Sequence, residues 1–216
     1  METILNKIEC RVFGSLIEKE LATPEYYPLT LNSLTAACNQ KSNRHPVMNL
    51  EESEVVRALD SLKLKQLVLT AADGGRVPKY RHRIGEKLSL EPAKLAIIAE
   101  LLVRGPQTVG ELRGRTERMA SVGDIAAIET ILQDLTERNL VTLLPRQPGR
   151  KEQRYGHLFS GQAVAEEEVM TTPEPARIRV MEENERLFAL EEDVRLLRGE
   201  VAELREALEK FRAQFE

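Results

Sequence analysis

Apolar residues recur at every fourth position near the start of the chain. Ile8, Val12 and Leu16 form one row, and Phe13, Ile17 and Leu21 a second. This spacing predicts an amphipathic helix. Thr23-Pro24 ends it, because a residue before proline is pushed out of helical geometry. A short helix capped by Thr30 follows, with Leu31, Leu34 and Cys38 on one face. After a polar stretch comes a longer helix, from Leu50 to about Gln66, with Val55, Val56, Leu59 and Leu62 inward. The run LVLTAADGGRVPKYRHRI then reads as strand, tight turn, strand.

The same plan returns in the next segment. Pro92 begins a helix bearing Leu95, Ile98, Leu101 and Leu102, and Gly105-Pro106 ends it. Thr108 and Glu111 form a capping box for a short helix with Val109, Leu112 and Thr116 inward. A longer helix carries Ile128, Leu132 and Leu135, and NLVTLLPRQPGRKEQRYGHLF is a second hairpin. A shift of 73 positions lays Val55, Leu59, Leu62 and Leu67 on Ile128, Leu132, Leu135 and Leu140. A shift of 75 lays Tyr80-x-His82-x-Ile84 on Tyr155-x-His157-x-Phe159. Helix, short helix, longer helix, hairpin is the order of a winged helix-turn-helix. The expectation is a mainly α chain with small β-hairpins: two tandem winged helix-turn-helix domains, 1–88 and 89–160.

Beyond an acidic, proline-containing linker at 161–178, the pattern changes to strict 3-4 alternation over 179–216. Taking Leu187 as heptad position a, that position holds Leu187, Val194, Val201, Leu208 and Phe215, while d holds Leu190, Leu197, Leu204 and Phe211. Valine at a with leucine at d favours a parallel two-stranded coiled coil. The facing g and e positions, Arg186 with Glu191, Asp193 with Arg198 and Glu200 with Arg205, are all of opposite sign. These nine apolar positions are the expected dimerisation residues; antiparallel pairing, or packing on the chain's own domains, would use the same stripe.

Charge follows these divisions. Residues 1–90 carry 13 Lys/Arg against 11 Asp/Glu and residues 91–162 carry 10 against 9, whereas residues 163–216 carry 8 against 15. The acidic balance therefore belongs to the tail and leaves the repeats open to an anionic partner. No apolar run approaches the roughly 20 residues that span a bilayer. Glu2, Glu9 and Glu18 break up the first segment, which is no signal peptide. Two cysteines, Cys10 and Cys38, make neither a disulfide framework nor a four-ligand zinc site. A cytoplasmic protein outside the membrane is expected.

Candidate chemistry is concentrated in three places. Lys79, Arg81 and Arg83 alternate along the first hairpin with Arg76 near its turn, and the second carries Arg146, Arg150, Lys151 and Arg154. Such cations either contact phosphates or serve only solubility. The connector CNQKSNRHPV offers Lys41, Asn43, Arg44 and His45 to an anion or a partner, or bonds its own backbone through Asn and Ser. His82 and His157 repeat at matched strand positions, where a ring packed on its domain is the simpler reading than a metal ligand. Opposing groove insertion, the third helix of each repeat opens with acids: Glu51, Glu52 and Glu54, then Asp124 and Glu129. No nucleophile–base pair, phosphate-binding glycine loop or paired-carboxylate motif is present in local sequence. A non-enzymatic protein without cofactor or metal is expected, with DNA as partner, or, as the alternative, another protein bound by winged domains that never meet DNA.

The stretch RVFGSLIEKELATPEYYPLTLNSLTAACNQKSNRHPVMNLEESEV resembles the signature of the YceH-like family of bacterial proteins, as do LLVRGPQTVGELRGRTERM and RYGHLFSG. The resemblance implies tandem winged helices in a bacterial cytosolic protein and brings no catalytic or binding residues with it.

Overall fold

In the computed structural model the described residues are 4–71, 77–146 and 152–161. The linker and the heptad segment from Leu187 to Phe215 lie outside them. Among the described residues the chain is mainly helical, with seven α-helices and two small antiparallel sheets.

The first helix, α1 (Lys7–Ala22), begins where Asn6 and Glu9 cap each other: Glu9 N–H donates to Asn6 Oδ1 at 2.9 Å and Asn6 N–H to Glu9 Oε2 at 2.8 Å. A turn of 3-10 helix at Pro24–Tyr26 leads into β1 (Leu29–Thr30). Thr30 then caps α2 (Leu31–Cys38), and Glu51 begins α3 (Glu52–Leu64), one to two residues inside the helix that periodicity predicts. The hairpin β2 (Val68–Ala71) and β3 (Lys79–His82) completes a sheet of order β1-β3-β2, with Val68 opposite His82 and Leu29 opposite Tyr80. Where strand alternation would run on through Ile84, the chain turns into a short helix, α4 (Ile84–Leu88), before Ser89 adopts a left-handed conformation.

The second pass repeats the order. α5 (Pro92–Arg104) stops at Gly105, whose φ of +75° glycine adopts without strain. A single bridge between Gln107 and Tyr155 replaces the first strand. The expected capping box holds α6 (Val109–Thr116), where Glu111 N–H donates to Thr108 Oγ1 at 3.2 Å. Asp124 caps α7 (Ile125–Glu137), and β4 (Val141–Leu143) pairs with β5 (Tyr155–His157).

The division expected at residue 88 falls between α4 and α5, yet one apolar core runs through both repeats. The reason is visible in two helices. Residues 9–18 of α1 and 95–103 of α5 are buried without a break, so neither helix keeps a solvent face. An apolar stripe on one side is what a helix at the rim of a domain shows; a helix buried all round lies between two layers. α1 meets α5 at Gly14, where an added Cβ would lie 2.7 Å from Leu102 Cβ and 2.9 Å from Val103 Cγ1. Phe13, Leu16 and Ile17 beside it are fully buried, each contributing about 1.5–3 kcal/mol.

Gly14→Ala should therefore destabilise the protein. Overpacking of about 1–3 kcal/mol outweighs the roughly 1 kcal/mol that alanine gains in a helix. Gly114→Ala, on α6 with nothing within 4 Å of its added Cβ, should stabilise by about 0.5–1 kcal/mol. Urea midpoints at unchanged m-value read both, and the two shifts should have opposite sign.

Candidate contact surface and the buried arginine network

The polar connector between α2 and α3 is held down at every few residues. Asn39 spans its base: Nδ2 donates to Leu50 O at 2.8 Å and Leu50 N–H donates to Asn39 Oδ1 at 2.7 Å. Asn43 sits at φ +60°, a conformation asparagine tolerates, and its Oδ1 accepts from Arg104. The backbone N–H of His45 donates to Val103 O at 2.9 Å. The asparagines thus bond backbone and neighbouring elements, the structural role weighed for them.

Arg44 corrects the expectation of an outward cation. It is buried, its Nε donating to Ala37 O at 3.1 Å and its Nη1 to Asn43 O at 2.8 Å, while its Nη2 pairs with Glu18. Both side chains of that ion pair have no exposed surface. Lys41 and His45 remain exposed at the tip.

Glu18 was not singled out from sequence, and nor was Glu100. Each is an acid within the buried stretch of a helix, which is the signal that could have found them: a charge so placed requires partners. Glu18 also accepts from Arg118 at 2.7 Å, and Glu100 accepts from Arg118 at 3.0 Å and forms an ion pair with Arg104 at 2.8 Å. Beside them, Arg11 donates to Cys38 O at 3.0 Å and Pro46 O at 2.5 Å, joining α1 to α2 and the connector. Burial, then the charge of Arg44, draws the Arg11 guanidinium below its ordinary value. For Arg118 burial acts the same way, but Glu100 and Glu18 outweigh it and raise the pKa.

On the hairpins, Arg81 pairs with exposed Glu86 at 2.8 Å, and the hydrogen bond lifts the arginine and lowers the acid. Arg83 is half-buried at the start of α4, and Lys79 is half-buried on β3. Arg154 donates to Pro106 O at 2.8 Å and pairs with Glu111 at 3.0 Å. Arg76, Arg150 and Lys151 lie outside the described residues.

The repeated histidines pack as side chains of their hairpins. His82 is buried, its Nε2 paired with Glu20 and its backbone N–H donating to Tyr27 Oη at 2.7 Å, with Phe13 edge-on at 6.5 Å. His157 is half-buried, with its ring 6.3 Å from that of Phe159. Burial pushes the Cys10 thiol up to about 12 and the Cys38 thiol up to about 11, so both are protonated near neutrality. Among the described residues no three of His, Cys, Asp and Glu gather to hold a metal ion, and no helix is long and apolar enough to cross a membrane. A cleft of about 410 Å³ opens between α1 and α3, lined by Asn6, Ile8, Glu9, Glu54, Arg57, Ala58 and Ser61. It includes neither the connector nor His82.

A family described as "Protein of unknown function, DUF480" matches residues 5–150. The chain belongs to this family. It is 64% identical over 219 residues to a UPF0502 protein of Geobacter sulfurreducens, and 63% identical to UPF0502 proteins of Geotalea uraniireducens and Geotalea daltonii, covering all of each chain. The resemblance carried by the sequence motifs thus holds at the level of an uncharacterised family of bacterial proteins, DUF480. In this DUF480 chain the residues that sequence offered as one contact set divide. Arg44 is internal, Arg81 and Arg154 are tied to acids, and Lys41 and His45 are presented outward.

Glu18→Gln should be severely destabilising, because it leaves Arg44 buried with its charge uncompensated. A loss of about 3–5 kcal/mol is expected from chemical denaturation, and the exposed partner change Glu86→Gln should shift the midpoint far less.

Proposed function

We propose that this chain is a non-enzymatic tandem winged-helix protein of the cytoplasm that binds nucleic acid through its phosphate backbone, with little reading of bases. The observation that carries this reading is the twice-used order of helix, short helix, longer helix and hairpin, joined to cations at the connector tip and hairpins. The order is that of winged helices; since a fold by itself assigns no function, the weight rests on the charges. α3 starts with exposed Glu51 and Glu52, and α7 with exposed Asp124. Acids at the leading end of a reading helix are repelled by phosphates in the major groove. What remains is a sequence-tolerant contact with the backbone, of the kind that positions without specifying.

A second reading is favoured by the outward face of α3. Leu64 is 87% exposed and Val56, two turns before it, 36%. Apolar side chains at those positions suit a protein surface better than a phosphate backbone, so the adaptor alternative competes at that helix.

The test is fluorescence anisotropy with unrelated labelled duplexes. Affinities should agree within roughly threefold between sequences and fall steeply with salt, log Kd against log salt giving a slope of several units. Absence of binding at about 50 mM salt would leave the adaptor reading in its place.

The heptad positions Leu187, Leu190, Val194, Leu197, Val201, Leu204, Leu208, Phe211 and Phe215 support a homodimer, which would double the backbone contacts available to one assembly. Sedimentation of the full chain should give a dimer, and Leu197→Glu/Leu204→Glu should give a monomer. A wild-type monomer would remove the dimer from the proposal.

A further inference from the structure

Three glutamates in this structure each hold two arginines. Glu100 takes Arg104 and Arg118, Glu18 takes Arg118 and Arg44, and Glu111 takes Arg154 at 3.0 Å and Arg115 at 3.4 Å. Five arginines therefore stand on three acids, an excess of two positive charges at the junction of α5, α6 and the connector. One-to-one pairing would neutralise the glutamates. The surplus arginines are brought into one another's repulsion: burial lowers the Arg104 pKa, and the charges of Arg115 and Arg118 lower it further against Glu100.

The layering decides which sign faces water. Glu18 and Glu100 have no exposed side-chain surface, whereas Arg118 is 37%, Arg115 33%, Arg154 23% and Arg104 19% exposed. Two of the three acids, Glu18 and Glu100, lie beneath the arginines, while Glu111 is 28% exposed beside Arg115 and Arg154. Arg104 and Arg118 grip opposite oxygens of one carboxylate, which sets two planar donor forks side by side. Their rotamers are fixed by folding, so little freedom is left to lose on binding an anion. Exposed Lys41 at the connector tip adds a further cation, and exposed Glu117 opposes it.

We infer that this arginine layer at the junction of the two repeats is the surface that docks nucleic-acid phosphates. The inference rests on the nucleic-acid reading above and moves the contact away from the helices that winged folds ordinarily insert. Planar, bidentate guanidinium donors match phosphate oxygens, and two forks on one carboxylate can share a single phosphate or bridge neighbouring ones.

The test compares charge reversals that spare the buried glutamates. Lys41→Glu/Arg115→Glu, the α6 variant, alters only an exposed side chain of the connector tip and a half-exposed one of α6, and Arg57→Glu/Lys63→Glu makes the same charge change on α3. Circular dichroism and thermal melting establish that each variant is folded, and Arg118→Lys, which keeps the charge but loses the fork, supplies a third readout. With a labelled duplex at low salt, the α6 variant should bind about tenfold or more weakly, with a salt slope shallower by roughly two units. The α3 variant should change by less than about threefold. Arg118→Lys should bind measurably weaker than wild type at unchanged net charge. If the wild type binds and the α6 variant binds equally well, or both reversals lose the same affinity, the junction surface is refuted while the nucleic-acid reading stands. If the wild type binds no duplex or single strand at low salt, both fall. Inorganic phosphate at ionic strength matched to chloride should displace no more duplex than chloride does. Selective displacement at millimolar phosphate would assign the surface to a small anion and overturn the inference.

Discussion

Two carboxylates out of reach of water, Glu18 on α1 and Glu100 on α5, set the terms for the rest of the structure. Removing an ionised group from solvent costs several kcal/mol, and only close partners offset it. Those partners come from the connector, the end of α5 and the end of α6, as Arg44, Arg104 and Arg118. Glu18 draws partners from both repeats, Arg44 from the first and Arg118 from the second. The connector is not free to wander, because Arg44 is committed to the interior and Asn43 to Arg104. A well-packed apolar substitute could be as stable as these ion pairs; what the charges add is a single arrangement in which they are all satisfied.

The apolar layer agrees with the polar one. α1 and α5 lie against each other at Gly14, close enough that the missing Cβ decides the approach. Arg11 reinforces the same place, tying carbonyls of α2 and the connector to α1. Packing and hydrogen bonding thus select one register between the repeats, which is the consistency expected of a sequence that specifies one state.

Much of this could be read from the chain before any coordinates. Thr108 and Glu111 cap α6 as their spacing predicts, because a capping box is a contact between residues three apart. Thr30 caps α2 and the two hairpins fall where alternation places them. The failures share a cause. Arg44 and Glu18 are far apart in sequence, and a cation in a polar loop is ordinarily exposed. α4 was hidden because Ile84, its first residue, continues the alternation of Tyr80 and His82 and so reads as the end of a strand. The full burial of α1 and α5 was hidden because each shows its own apolar stripe, while the rest of its surface is covered by a partner helix from the other repeat. Of the contact residues proposed from sequence, Lys41 and His45 are exposed as expected, whereas the arginines of α5 and α6 carried no recognisable motif.

The hydrogen bond from His45 to Val103, set beside the contact at Gly14, fixes how this protein can be controlled. Two modules on a slack tether can be steered by changing the angle between them. Here the tether of the first module is stitched to the backbone of the second, so opening the joint would strand paired charges and an amide in a dry interior. What can change without disturbing that joint is the exposed tip of the connector, where Lys41 and His45 reach water.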